Sequence, residues 1–135
     1  MRADTRSVTL DAPAAMVFDF LADPLNLPKW AVAFAHSVHR DGDAWRVQTG
    51  QGEISLQISA DAAHGTIDFR MRPTSGVAIT AYSRVLASGD TAEYVFTQFQ
   101  GPGMSDAAFE GQVNALCEEL TVLKSIMKAR TVCPN

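Results

Sequence analysis

Residues 101–128, GPGMSDAAFEGQVNALCEELTVLKSIMK, decide the reading of the fold. Gly101-Pro102-Gly103 closes whatever precedes it, because glycine and proline together interrupt both sheet ladders and helices. Ser105 is suited to cap a helix and Asp106 to sit in its first turn. Lys124, Lys128 and Arg130 gather near the far end, where the helix dipole favours positive charge. Between these ends Phe109, Val113, Leu116, Leu120, Leu123 and Met127 recur in steps of 4, 3, 4, 3 and 4. This spacing predicts one apolar stripe on a helix of about 26 residues, roughly 39 Å long at 1.5 Å per residue. Such a stripe needs a broad apolar partner.

The partner lies upstream. From Ala33 to Gln100 the pattern alternates with period two and is interrupted by turn residues at regular intervals, as in an antiparallel meander. Asp41-Gly42, read as a two-residue turn, pairs Arg40 with Asp43, Val38 with Trp45 and His36 with Val47. Phe34, His36, Val38, Trp45 and Val47 then share one face. The turn Asp61-Ala62-Ala63-His64 pairs Ile58 with Ile67, Leu56 with Phe69 and Ile54 with Met71. Ser55, Gln57, Asp68 and Arg70 go to the other face, and Glu53 meets Arg72 across the strands. A turn at Gly89-Asp90 pairs Ala87 with Ala92 and gathers Ile79, Ala81, Ser83, Val85, Tyr94, Phe96 and Gln98 on one side. Tyr82 and Arg84 then point outward; a slip of one residue would exchange the faces and bring both inside as an anion site.

Ahead of the meander, Arg6–Leu10 alternates as a strand. Asp11 can cap, and Pro13 suits the first turn of a helix that runs to about Ala22 and presents Met16, Val17, Phe20 and Leu21. Asp23-Pro24 breaks it, and Pro24–Leu27 adds one more turn before Pro28 and Trp30 lead into the sheet. A strand, two short helices, about six further strands and one long helix make an α+β two-layer domain over residues 1–135, with its core at about 5–130.

Composition narrows the function. With 135 residues, 47% of them hydrophobic, the chain supports one core and is too apolar for disorder. No run reaches the roughly 20 apolar residues of a membrane span. Eleven Lys and Arg against fifteen Asp and Glu give a net charge of −4, which disfavours nucleic acid as a partner. Cys117 and Cys133 show no metal-ligand spacing and read as reduced thiols. Met1-Arg2-Ala3-Asp4-Thr5-Arg6 leads into no apolar signal segment, so a cytoplasmic location is expected.

Particular stretches carry a family likeness. Thr9-Leu10-Asp11-Ala12-Pro13, Val17-Phe18-Asp19-Phe20-Leu21-Ala22-Asp23-Pro24 and Leu27-Pro28-Lys29-Trp30 resemble the N-terminal signature of the SRPBCC superfamily, the START-like and polyketide cyclase/dehydrase-like proteins. Ser83-Arg84-Val85, Val95-Phe96-Thr97, Gly101-Pro102-Gly103-Met104-Ser105-Asp106 and Glu119-Leu120-Thr121-Val122-Leu123-Lys124 are similar to the C-terminal half of small bacterial members. The resemblance implies the helix-grip fold: a curved antiparallel sheet of about seven strands wrapped around the C-terminal helix, with a deep apolar cavity between them. Members bind lipids, sterols, hormones or aromatic polyketides, and some catalyse cyclisation or dehydration.

If such a cavity is present, the sheet face and helix stripe supply its lining: Trp30, Phe34, His36, Trp45, Leu56, Phe69, Ser83, Tyr94, Phe96, Gln98, Phe109, Val113, Leu116 and Leu120. Among these, His36 and Tyr94 are the candidate proton-transfer residues; an inward His or Tyr is also the ordinary form of a satisfied core residue. Arg84 resembles a recurrent arginine of the family but is expected outside. Gly111 allows close backbone approach, room for ligand, or neither. Met71, Met104 and Met127 suit an adaptable wall or plain core filling. No carboxylate falls on the inward sheet face, and no Cys/His/Asp cluster suggests zinc or iron, so neither metal nor cofactor is expected. Three functions stay open. The first is binding of a small hydrophobic or aromatic ligand, and the second a cyclase/dehydratase-like reaction through His36 or Tyr94. The third is a protein-interaction module of the heat-shock ATPase activator type, for which a filled core and an exposed apolar patch would speak. A homodimer is compatible with all three.

Overall fold

The computed structural model describes residues 2–74 and 76–132, so Cys133 lies outside the described residues. The chain runs β1 (Ala3–Leu10), α1 (Ala14–Ala22), a 3-10 turn (Pro24–Asn26), α2 (Leu27–Trp30), β2 (Ser37–Asp41), β3 (Ala44–Thr49), β4 (Gly52–Asp61), β5 (Thr66–Pro73), β6 (Ile79–Ser88), β7 (Thr91–Phe99) and α3 (Asp106–Val132). The strands form one antiparallel sheet in the order β1-β7-β6-β5-β4-β3-β2. This is the α+β layering that the alternating pattern and the terminal stripe imply, in the helix-grip form that the family resemblance implies.

Ser105 caps α3 as expected, its Oγ accepting from the Ala108 N–H at 3.1 Å, and Asp106 stands in the first turn. Asp11 does not cap α1: the residue before that helix is an extended Pro13, and no side chain bonds to its first turn. Gly111 is exposed, and a Cβ there would meet nothing within 4 Å, so neither close approach nor ligand room explains it.

The hairpins correct the expected registers in an instructive way. Val38 pairs with Val47 and Arg40 with Trp45; Ile58 pairs with Phe69, Leu56 with Met71 and Ser55, not Glu53, with Arg72. In each case the turn sits one residue further along the chain. Gly42 opens the first loop at φ +62°, and no described non-glycine residue has a positive φ, so Asp41 stays in the strand. A glycine at the first central position is the requirement of a type II′ turn. Moving a turn by one residue changes each partner by two and so preserves the faces. The β6–β7 register, with Ala87 opposite Ala92, is as expected, and Tyr82 and Arg84 are exposed. Gly65 closes the β4–β5 turn at φ +71°, and a Cβ there would lie 2.4 Å from the Val85 carbonyl oxygen. Only glycine fits.

The core is continuous but lopsided. α1 rests on β6 and β7, and α3 packs along β1. Leu10, Val17, Leu21, Leu123 and Met127 are all within 1% of full burial, each such side chain contributing roughly 1.5–3 kcal/mol of transfer free energy. Arg130 covers Phe20 at 4.7 Å from its ring centroid, and Arg2 pairs with Glu110 while lying over Phe109. Arg130 thus ties the far end of α3 to α1, and Arg2 ties its start to the strand side.

Candidate functional site

The segment between α1 and β2 builds one wall of the site. Asp23 ends α1 and accepts from the Leu25 N–H at 3.0 Å, while Asn26 donates to the Phe20 carbonyl at 2.9 Å. These bonds fix the 3-10 turn and α2, which delivers Trp30 inward with 2% exposure. The chain does not then enter a strand, as the alternation suggested. Residues 31–36 make a further turn, with Ala35 N–H donating to the Ala31 carbonyl at 2.8 Å.

That turn is fastened to α3 by one side chain. Glu119 Oε2 accepts from the Ala33 N–H at 3.2 Å and from the Phe34 N–H at 3.0 Å. Glu119 is only 6% exposed. Burial pushes its carboxyl up to about 7, against the opposing pull of the Phe34 and Ala33 N–H bonds, and the nearby Glu118 charge adds to the rise.

Between this wall, the sheet and α3 lies a pocket of about 490 Å³, within the ~300–1,000 Å³ range of small-molecule sites. Trp30, Phe34, Phe69, Phe96 and Phe99 give it aromatic sides, with Leu56, Met71, Ile79 and Met104 between them. Exposed Ala33, Gly50, Gln51 and Gln112 mark where it meets solvent. Two nitrogens on its lining residues, Trp30 Nε1 and Gln98 Nε2, are buried without a hydrogen-bond partner. Among the described residues no group of three or more His, Cys, Asp or Glu could hold a metal ion.

Half of the expected lining residues border this pocket: Trp30, Phe34, Leu56, Phe69, Phe96, Gln98 and Leu116. Phe109, Val113 and Leu120 are buried without reaching it. The reason is the rotation of α3. Its long stripe faces the dry half of the interface, and a second face carrying Gln112, Ala115, Leu116 and Glu119 meets the pocket. Trp45 lies half-buried on the outer hairpin, stacked under Arg40 at 5.7 Å. Ser83 is occupied, donating to the Ile67 carbonyl at 2.7 Å. Met71 and Met104 do line the pocket, whereas Met127 is core.

The two expected proton-transfer residues stand apart from the pocket. His36 is exposed, because it precedes the edge strand β2 and has no covering layer; its N–H bonds to the Gln48 carbonyl at 2.8 Å. Tyr94 is fully buried behind the lining, edge-on to Trp30 at 6.2 Å between centroids. Burial raises its phenol pKa, which the nearby Ser83 hydroxyl offsets only in part, and its Oη meets no partner in hydrogen-bond geometry. Tyr94→Phe is therefore expected to leave stability unchanged or raise it by up to about 1 kcal/mol, since an unpaired buried hydroxyl is removed. Urea denaturation measures this; a clear loss would mean that the hydroxyl is bonded.

Residues 1–127 match the polyketide cyclase / dehydrase and lipid transport family. The chain belongs to this family. No curated protein matches it in sequence. Solved structures of similar fold include the di-domain ARO/CYC BexL from the BE-7585A biosynthetic pathway. That match has 19% identity and a TM-score of 0.78, covering 97% of this chain and 48% of BexL. The Zhui aromatase/cyclase from Streptomyces sp. R1128 is 18% identical with a TM-score of 0.72, covering 96% of this chain and 95% of its own. The Aha1 dimer from Colwellia psychrerythraea is 11% identical with a TM-score of 0.74, covering 94% and 96%. At these identities the likeness is one of fold. No helix among the described residues is long and apolar enough to cross a membrane.

Proposed function

We propose that this family member is one small-molecule-binding domain that takes a mostly hydrophobic or aromatic ligand into the pocket between its sheet and α3. The observation that carries the reading is the pocket itself: about 490 Å³ of space walled by aromatic and aliphatic side chains. Unfilled apolar space of that size forfeits packing that a guest can supply. A cytoplasmic setting agrees with Cys117 as a free thiol. The interaction-module reading needs a filled core, and the pocket argues against it.

Ala115→Trp tests the proposal. Ala115 lies half-buried on the pocket face of α3, so an indole there occupies guest space without entering the dry core. The expected result is at least a tenfold loss of affinity for an apolar fluorescent probe such as 1-anilinonaphthalene-8-sulfonate, with the melting temperature little changed. Undiminished probe binding would overturn the assignment of the pocket.

A second reading has a specific observation behind it. A carboxyl held near neutrality inside an apolar pocket is suited to general acid–base work, and Glu119 is such a group. In a cyclase/dehydratase-like reaction Glu119, rather than His36 or Tyr94, is the residue that meets the ligand.

A further inference from the structure

Glu119 presents its two oxygens differently. Oε2 is engaged by the Ala33 and Phe34 N–H groups, while Oε1 accepts no hydrogen bond from the described residues and is not one of their buried unpartnered atoms, so it is reached from the pocket. No cation among the described residues pairs with this carboxyl, although it is 94% buried and lines the pocket. A carboxyl oxygen shut off from water without a donor is unfavourable, and the deficit is largest when the group is ionised. An apolar guest that seals the pocket around Oε1 incurs that cost. A guest that brings its own donor avoids it.

We infer that Glu119 Oε1 is the polar anchor of the site and selects ligands that carry a hydrogen-bond-donating head, a hydroxyl or an ammonium, on an apolar aromatic body. The inference rests on the pocket being the binding site. The five aromatic rings of the lining take the body, and Oε1 takes the head. Charge-assisted bonds to a carboxylate are about twice as strong as neutral ones, so the donor prefers the ionised form of Glu119. Affinity for such ligands therefore rises with pH through the range in which Glu119 ionises. A carbonyl-headed ligand, which needs the protonated form, would show the opposite slope. Among the described residues Glu119 is the only titratable one of the lining. Glu118, beside it on α3, and Lys29 and His36 on the adjoining α2–β2 segment are exposed.

Calorimetric titration with 2-naphthol, 2-naphthylmethylamine and 2-methoxynaphthalene at pH 6 and pH 8 tests the anchor. At pH 8 at least one donor is expected to bind at least tenfold more tightly than the methoxy compound, with the advantage shrinking at pH 6. In Glu119→Gln the pH dependence is expected to vanish and the preferred donor to lose at least fivefold. The affinity for 2-methoxynaphthalene should be no weaker than in the wild-type protein, which certifies an intact pocket. Preference for the amine identifies the head as a cation, and preference for the naphthol as a neutral hydroxyl. Equal binding of all three compounds, or a preference and pH slope that survive Glu119→Gln, overturns the anchor and leaves the pocket reading standing. Binding of none overturns both.

Discussion

Truncating Leu123 to alanine is expected to destabilise the protein by about 3–5 kcal/mol, and truncating Leu116, two turns earlier on α3, by roughly half as much. Both residues look equally buried, at 0% and 4% exposure. They differ in what surrounds them. Leu123 is fully buried and does not border the pocket, so its removal leaves a new void whose walls lose their contacts. Leu116 already borders the pocket, where one side of the isobutyl group has no packed neighbour to lose. Urea denaturation of the two variants measures the contrast. Equal losses would mean that α3 is as tightly seated at its N-terminal half as at its C-terminal half, and the pocket would not be a standing feature of the fold.

The stability of the wild-type protein relative to Glu119→Gln is expected to fall as pH rises from about 4.5 through about 7. The folded carboxyl holds its proton to about 7, whereas the unfolded chain releases it near the ordinary value of 4.5. Below the lower value both states are protonated, and the contribution is fully present. Above the upper one the folded protein has had to ionise a buried group. A shift of this size corresponds to a loss of up to about 3 kcal/mol, or roughly 10 °C in melting temperature for a domain of this length. Glu119→Gln cannot ionise and keeps an acceptor for the Ala33 and Phe34 N–H groups. It isolates the effect from the remaining carboxylates, which titrate in both proteins. Melting curves for the pair between pH 5 and pH 8 decide the matter; parallel profiles would show that Glu119 is not held near neutrality.

The layout of the fold was legible because it depends on periodicities that tertiary contacts reinforce. The steps of four and three from Phe109 to Met127 define α3, and the alternation through β3–β7 places Val47, Leu56, Phe69, Ala81 and Tyr94 inside. Turn positions are less legible. In the β2–β3 and β6–β7 hairpins the glycine takes the first place of the loop, at φ +62° and +61°. Applying that rule to Gly42, as the position of Gly89 suggests, would have set the β2–β3 register correctly. His36 departs from its expected place for a different reason. The alternation extends back through Phe34 in the sequence, but residues 31–35 are tied to one another and to Glu119 instead of to a neighbouring strand.

Glu119 itself left little trace in the sequence. The face it shares with Gln112, Ala115 and Leu116 contains one large apolar residue, and such a face reads as solvent-facing. The spacing of 112, 115, 116 and 119 was nonetheless available. A mixed face of this kind, beside a fully apolar stripe, is what a helix shows when it borders a hollow as well as a wall.

The two tryptophans have a practical consequence. Trp30 lies in the wall of the pocket, and Trp45 sits out on the edge hairpin beneath Arg40. The indole fluorescence of the first responds to an arriving guest, while that of the second stays constant as an internal reference. Trp45→Phe would leave a protein whose own light reports occupancy.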